Sequence, residues 1–190
     1  MSIPQFQIID MSRDNASTIQ QAAELLITGF AQMAPEAWPT MPDALEEVTE
    51  ALEPGKTARA AVNDNGLVLG WIGGAPRYSG NTWELHPLVV HPGYRKLGIG
   101  RALVADLERL AHAAGAYTLS LGTDDEMNLT SLGGVNLYPN VWEHVANIRN
   151  LNDHPYEFYQ KLGFVITGVL PDANGPGKPD IFMAKRVRKY

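Results

Sequence analysis

The stretch from residue 83 to residue 122 constrains this chain more than any other. Residues 82–90 read as a strand that becomes fully apolar toward its end. Residues 98–115 repeat apolar side chains at helical spacing, with Leu103, Leu107, Leu110 and Ala114 on one face. Residues 117–122 form a second buried-type strand. A strand, a helix and a strand in this order predict a parallel, right-handed crossover. The connection into the helix is basic and rich in glycine: Arg95-Lys96-Leu97-Gly98-Ile99-Gly100-Arg101. Glycine lets backbone N–H groups approach an anion closely, and the helix N-terminus adds a partial positive charge. The pattern is neither G-x-x-x-x-G-K-[ST] nor G-x-G-x-x-G. On its own it reads either as a pyrophosphate cradle or as a glycine turn with solvated basic side chains.

The flanking segments extend the pattern. Residues 5–11 alternate and predict a first strand. A helix capped by Ser12 or Asp14 is expected to run to about residue 31, with Ile19, Ala22, Ala23, Leu26 and Phe30 as its core stripe. Pro35 and Pro39 break it. A second helix, capped by Asp43, turns Leu45, Val48 and Leu52 inward. Its Asp43, Glu46, Glu47, Glu50 and Glu53 read as a solvated acidic face, or as a rim that attracts cations. Residues 57–63 and 67–72 predict a hairpin about Asn65-Gly66. Residues 123–139 are irregular, 141–151 a helix or turn, and 155–162 a short helix with Asp153 as N-cap and Gly163 as its stop. Residues 164–170 and 180–187 are the last strands. The expectation is an α/β (α+β) fold, one domain over residues 1–190, with a mixed, mostly antiparallel central sheet flanked by helices.

Composition narrows the classes of function. A length of 190 residues suits one domain. The absence of cysteine excludes disulfides, cysteine-ligated metals and a cysteinyl acyl-enzyme. Fifteen Lys and Arg against 21 Asp and Glu give a net charge of −6. That argues against nucleic-acid binding, which needs a basic face, and suits a cationic ligand. No apolar run reaches the ~20 residues that span a bilayer, so no membrane partner is expected. The first sixteen residues lack the pattern of a secretory signal, so the expected location is cytoplasmic. His86, His91, His112, His144 and His154 show no metal-ligand spacing, and no metal is expected. The basic tail of Lys185, Arg186, Arg188 and Lys189 reads as a solvated end.

Arg95-x-x-Gly98-x-Gly100 resembles the acyl-coenzyme A loop of the Gcn5-related N-acetyltransferase superfamily. Tyr159-Gln160-Lys161-Leu162-Gly163-Phe164 resembles that family's late Tyr-x-Lys-x-Gly-Phe segment. Residues 83–90 (Trp-Glu-Leu-His-Pro-Leu-Val-Val), 121–125, 152–159, 168–175 and 178–181 resemble one subgroup, the aminoglycoside 6′-N-acetyltransferases. These segments lie within residues 66–187; the N-terminal third matches only in its pattern of elements. The resemblance implies the superfamily's fold, acetyl-CoA as co-substrate, an aminoglycoside as acceptor and a homodimer. Two rivals stay open: an acetyltransferase for a polyamine or peptide amine, and a coenzyme A-binding sensor without catalysis.

Amine acetylation needs an unprotonated amine, a polarised thioester carbonyl and a proton for the departing thiolate. Glu84 and His86, two apart on a strand, face the same side. Glu84 then serves as base, as cation anchor, or as a salt-bridged strand residue. His86 is either a direct participant at the acceptor or a hydrogen-bonded core histidine. Pro87 donates no ladder hydrogen bond and interrupts pairing. The resemblance further implies that the Leu88 N–H polarises the thioester carbonyl and that Leu88 and Val90 pair with the pantetheine arm. It assigns the pyrophosphate to Arg95, Lys96, Gly98, Gly100 and Arg101, and thiolate protonation to Tyr159. A phenol near pKa ~10 gives its proton to a thiolate near ~8.5 slightly uphill. Asp124, Asp125, Asp153 and Asp180 sit in or beside polar loops as caps or as ammonium ligands, with Asp124 and Asp153 the expected acceptor contacts. Tyr78 and Trp38 are expected to stack on sugar rings. Direct transfer in a ternary complex remains as the simplest mechanism.

Overall fold

Residues 57–90 form three long strands that pair in sequence order, the first two buried almost continuously along their length. The computed structural model describes residues 5–188, and these fall into two compact units: residues 5–119 with 187–188, and residues 120–186. The first unit contains β1 (Phe6–Asp10), α1 (Ala16–Phe30), α2 (Met41–Ala51), β2 (Thr57–Asn63), β3 (Val68–Arg77), β4 (Thr82–Val90) and α3 (Ile99–Ala113). Its strands lie in the order β1-β2-β3-β4 and every neighbouring pair is antiparallel. Gly66 takes φ +79° in the expected turn between β2 and β3. No helix among the described residues is long and apolar enough to cross a membrane.

One core of this unit packs α1 and α2 on the sheet. Ala22, Ala23, Leu26, Ala44, Val48, Trp71 and Val89 are buried in it, and the Trp71 indole donates to the Ala22 carbonyl at 3.1 Å. Arg59 on β2 is also buried; it donates to Asp10 on β1 and, at 2.6 Å, to Asp106 on α3. A buried guanidinium needs such partners, because desolvation of an unpaired charge is costly.

Helix ends differ from expectation by a few residues. Asn15, not Ser12 or Asp14, caps α1: its side chain accepts from the Thr18 N–H at 3.1 Å, while Ser12 Oγ accepts from Asp14 N–H one turn earlier. Thr40 caps α2, and Asp43 is its reciprocal capping-box partner at the third helical position. The buried stripe of α3 is Ile99, Leu103, Val104, Leu107 and Ala111; Ala114 lies beyond the last turn and is exposed.

The second unit carries most of β5 (Thr118–Asp124), then α4 (Val141–Ala146), α5 (Tyr156–Lys161), β6 (Val165–Leu170) and β7 (Asp180–Arg186). Its strands lie in the order β5-β7-β6, with β6 and β7 antiparallel. Asp153 does not cap α5; Pro155 occupies that position and Asp153 sits outside it at φ +54°. Asn150 holds the entry instead, accepting from His154 N–H and donating to the His154 carbonyl. Of the basic tail, Lys189 lies outside the described residues.

The β3–β4 ladder changes register opposite Pro87, as the missing donor requires. Ile72 pairs with Leu88 and Gly74 with Leu85, so Gly73 faces both His86 and Pro87. A methyl group added to Gly73 would overlap the His86 carbonyl oxygen. Backbone atoms have no rotamer by which to yield, so Gly73→Ala is expected to cost about 1–3 kcal/mol. Denaturant unfolding of both proteins checks this, and an unchanged midpoint would show that the bulge adapts.

Candidate active site

Alternation along β4 sorts its side chains. Trp83, Leu85, Pro87 and Val89 are buried, Glu84, Leu88 and Val90 are half-buried, and His86 is exposed. The extra residue opposite Gly73 reverses the alternation: Glu84 pairs with Ala75 but Leu88 with Ile72, so Glu84 and His86 face α2 while Leu88 and Val90 lie on the other face of the sheet. Glu84 and His86 open into a groove of about 280 Å³, lined also by Glu47, Glu50, Lys56 and Arg77. Arg77 on β3 donates to one oxygen of Glu84 twice, from Nε at 2.7 Å and from Nη2 at 2.6 Å. Glu84 is therefore a salt-bridged strand residue at the groove wall.

His86 Nε2 lies 3.7 Å from Glu47 on α2, an ion-pair separation longer than a hydrogen bond. Its ring is tilted against Trp38 at 6.0 Å, and Trp38 packs edge-on to Phe30 at 4.8 Å. Burial pushes the Glu47 carboxyl up, but His86, the Trp38 indole and the Lys56 charge outweigh it and hold the group below the ordinary carboxylate range. The sequence reading placed Glu47 on a solvated face. Asp43, Glu46, Glu50 and Glu53 are indeed exposed, whereas Glu47 turns inward. The signal was its spacing: Glu47 stands three after Ala44 and four before Ala51, within the buried stripe of α2. Tyr78 is 82% exposed beside Arg77 and does not line the groove.

Farther along β4, past the bulge, Leu88 pairs with Ile72 and Val90 with Gly70. The chain then enters the basic loop. Gly98 is the N-cap of α3 at φ +89°, a left-handed conformation open to glycine at little cost. No side chain caps this helix and no acidic residue occupies its first turn. The first helical bond is Ala102 N–H to the Gly98 carbonyl, so the N–H groups of Ile99, Gly100 and Arg101 have no helical acceptor. Lys96 and Arg101 are exposed beside them. This donor set fits a pyrophosphate. Arg95 is oriented differently: its guanidinium donates to the Gly29 carbonyl at 2.6 Å and to the Val90 carbonyl at 3.4 Å.

In the second unit, Asp124 is exposed, accepts from Asn174, and offers its carbonyl to His154 Nε2 at 3.0 Å. His154 Nδ1 accepts from the Tyr156 N–H, so the buried ring is neutral with its proton on Nε2. Burial lowers its pKa in the same sense. Asp125 is fully buried and holds the Leu129 and Thr130 N–H groups, a structural task. Asp153 is exposed in the loop before His154. Tyr159 is buried against Phe158 and Phe164 at 5.1 and 5.6 Å, and burial raises its phenol well above the ordinary value. A groove of about 640 Å³ lined by Ser131, Asn140, Glu143, His144 and Arg149 contains none of the expected site residues.

The acetyltransferase (GNAT) family model matches residues 22–138. Among solved structures, the chain is similar to an aminoglycoside 6′-N-acetyltransferase complexed with coenzyme A, at 41% identity over 97% of this chain and 98% of that one, with a TM-score of 0.87. An aminoglycoside 6′-N-acetyltransferase from Enterococcus faecium gives 41% identity, the same coverage and a TM-score of 0.84. An aminoglycoside 6′-acetyltransferase type Ii gives 37% identity over 97% and 99% of the two chains, at 0.74. A comparison with curated proteins returns no match. With a family match over more than half its length and these likenesses over nearly all of it, the chain belongs to the GNAT family of acetyltransferases, whose acyl donor is acetyl-CoA.

Proposed function

We propose that this enzyme acetylates the 6′-amino group of aminoglycosides by direct transfer in a ternary complex. The observation that carries the reading is the course of β4 through its bulge. It presents Glu84 and His86 in a charged groove, then Leu88 and Val90, and leads into the anion-binding start of α3. Acceptor, reacting centre and donor thus follow one another along a single strand. The likeness to three aminoglycoside 6′-acetyltransferases supports the choice of acceptor. The resemblance extends the reading to a cytoplasmic homodimer.

When bound, acetyl-CoA supplies an activated acetyl group. The chain's own residues then have separate tasks. The N–H groups at the start of α3, with Lys96 and Arg101, hold the pyrophosphate, and Arg95 braces the loop. The Leu88 N–H donates to the carbonyl that gains negative charge. Glu84 anchors an acceptor ammonium, with both Arg77 contacts falling on one of its two oxygens. Asp124 and Asp153 contact the acceptor's outer ammonium groups, and Trp38 offers a ring face to its sugars, whereas Tyr78 stands outside the groove. Tyr159 holds its proton across the working pH range and gives it to the departing sulfur; the acceptor amine attacks after losing one proton to water, and the proton its nitrogen sheds as the amide forms restores Tyr159. The raised phenol makes that step more uphill than an ordinary tyrosine would, so the proton moves only as the carbon–sulfur bond breaks.

Thiol release from acetyl-CoA is expected with kanamycin and tobramycin, and not with a kanamycin analogue carrying a 6′-hydroxyl. Release with spermidine or a lysine peptide alone would discard the antibiotic reading, and silence with every amine would favour a sensor. Tyr159→Phe should lower kcat about 10²-fold with coenzyme A affinity kept; a kcat near wild type removes Tyr159 as proton donor. Glu84→Ala should lose activity evenly between pH 6 and 8. A loss that steepens toward acid pH would make Glu84 a base instead.

A further inference from the structure

Of the three carboxylates that line the acceptor groove, Glu84 from β4 and Glu47 from α2 have counter-charges that differ in kind. Glu84 is held by Arg77, whose guanidinium does not deprotonate in proteins. Glu47 faces His86, whose imidazole belongs to the one class of side chain that changes charge near neutral pH. The Glu47–His86 separation of 3.7 Å is longer than a hydrogen bond, and the Trp38 indole is the carboxylate's other, neutral partner, so an ammonium that reaches Glu47 competes with a loosely held counter-charge. The Glu47 side chain keeps only 20% of its exposure, which strengthens an ion pair formed there relative to one in water. The other charged groups facing this point are Glu50 from the same helix, Lys56 from the segment before β2, and Arg77 and Glu84 across the groove. Lys56 is itself paired with Glu53 at 3.0 Å.

We infer that Glu47 is a specificity-determining carboxylate for the acceptor: it binds an ammonium group of a polycationic substrate, and His86 is the counter-charge that this ammonium displaces. The inference rests on the acetyl-transfer reading above and adds a residue to that site. It makes acceptor affinity depend on pH in a defined sense. At acid pH the charged imidazole competes for Glu47; as it loses its proton, the carboxylate is released to the substrate.

The test measures kcat and acceptor KM for kanamycin from pH 5.5 to 7 in wild type, Glu47→Gln and His86→Asn. Wild-type KM should fall several-fold as pH rises. Glu47→Gln should raise KM about tenfold at pH 7 and flatten its pH dependence, with the smaller effect on kcat. His86→Asn should also flatten the profile, but at the low-KM end. Loss confined to kcat in Glu47→Gln, or a pH slope of KM that survives it, overturns the inference. A second readout is independent of turnover. With coenzyme A bound, the His86 ring signals in NMR should shift on adding kanamycin or spermidine, and this shift should be absent in Glu47→Gln. Should wild type acetylate no amine, the acetyl-transfer reading fails by itself, and the NMR arm alone decides whether Glu47 binds polycations: no shift with either probe overturns it. Thermal unfolding of each variant separates these effects from lost folding.

Discussion

The antiparallel ladder between β3 and β4 is the constraint on which the rest of the first unit depends. It places Arg77 across from Glu84's end of β4, aligns Ile72 with Leu88, and yields its register only at Gly73. β3 can do this because it is thin. At Gly70 and Gly73 a side chain would meet the backbone of β4, and at Gly74 it would meet Leu107 of α3. Three glycines in ten residues weaken a strand's intrinsic preference, and the close approach of neighbours on both faces compensates. The bulge at His86–Pro87 is then a local consequence of proline in a paired strand, placed where the chain passes from groove to donor loop.

The groove balances its charges almost evenly. Glu47, Glu50 and Glu84 face Lys56, Arg77 and His86. A pocket lined by carboxylates alone would repel itself when empty and would hold any cation. Pairing each wall with a counter-charge keeps the empty groove stable and makes entry of a cation an exchange of partners. Selectivity then depends on which ligand can satisfy both walls at once, and that favours a rigid molecule bearing several ammonium groups over a single one.

Much of this was legible in the residues because it depends on spacing. The shared side of Glu84 and His86 follows from alternation, the interrupted pairing from Pro87, and the anion-binding start of α3 from Gly98 and Gly100; the change of face beyond the bulge does not. What was not legible depends on competition or on distance in the chain. Ser12, Asp14 and Asn15 are all good caps, and only the turn geometry selects Asn15. Asp153 looks like the cap of α5, but Asn150 takes the entry by clasping both backbone groups of His154. The Arg77–Glu84 bridge requires the β3–β4 register, which no local pattern specifies. Glu47 is intermediate: its helical spacing marked it as inward, yet its charge argued for the surface, and the counter-charges around it decide in favour of spacing.

Arg95 carries a further implication. Its guanidinium joins the end of β4, through Val90, to the last turn of α1, through Gly29, and Gly29 itself sits so close that a side chain there would strike Val89. The helix that ends at this joint carries Phe30, against which Trp38 and then His86 are stacked. The donor loop and the acceptor wall therefore share a strut. Anything that stiffens one end lowers the entropy still to be lost at the other, and such an effect is the same in size whichever ligand arrives first. On the acetyl-transfer reading, the two substrates would be thermodynamic partners through this strut before they touch each other.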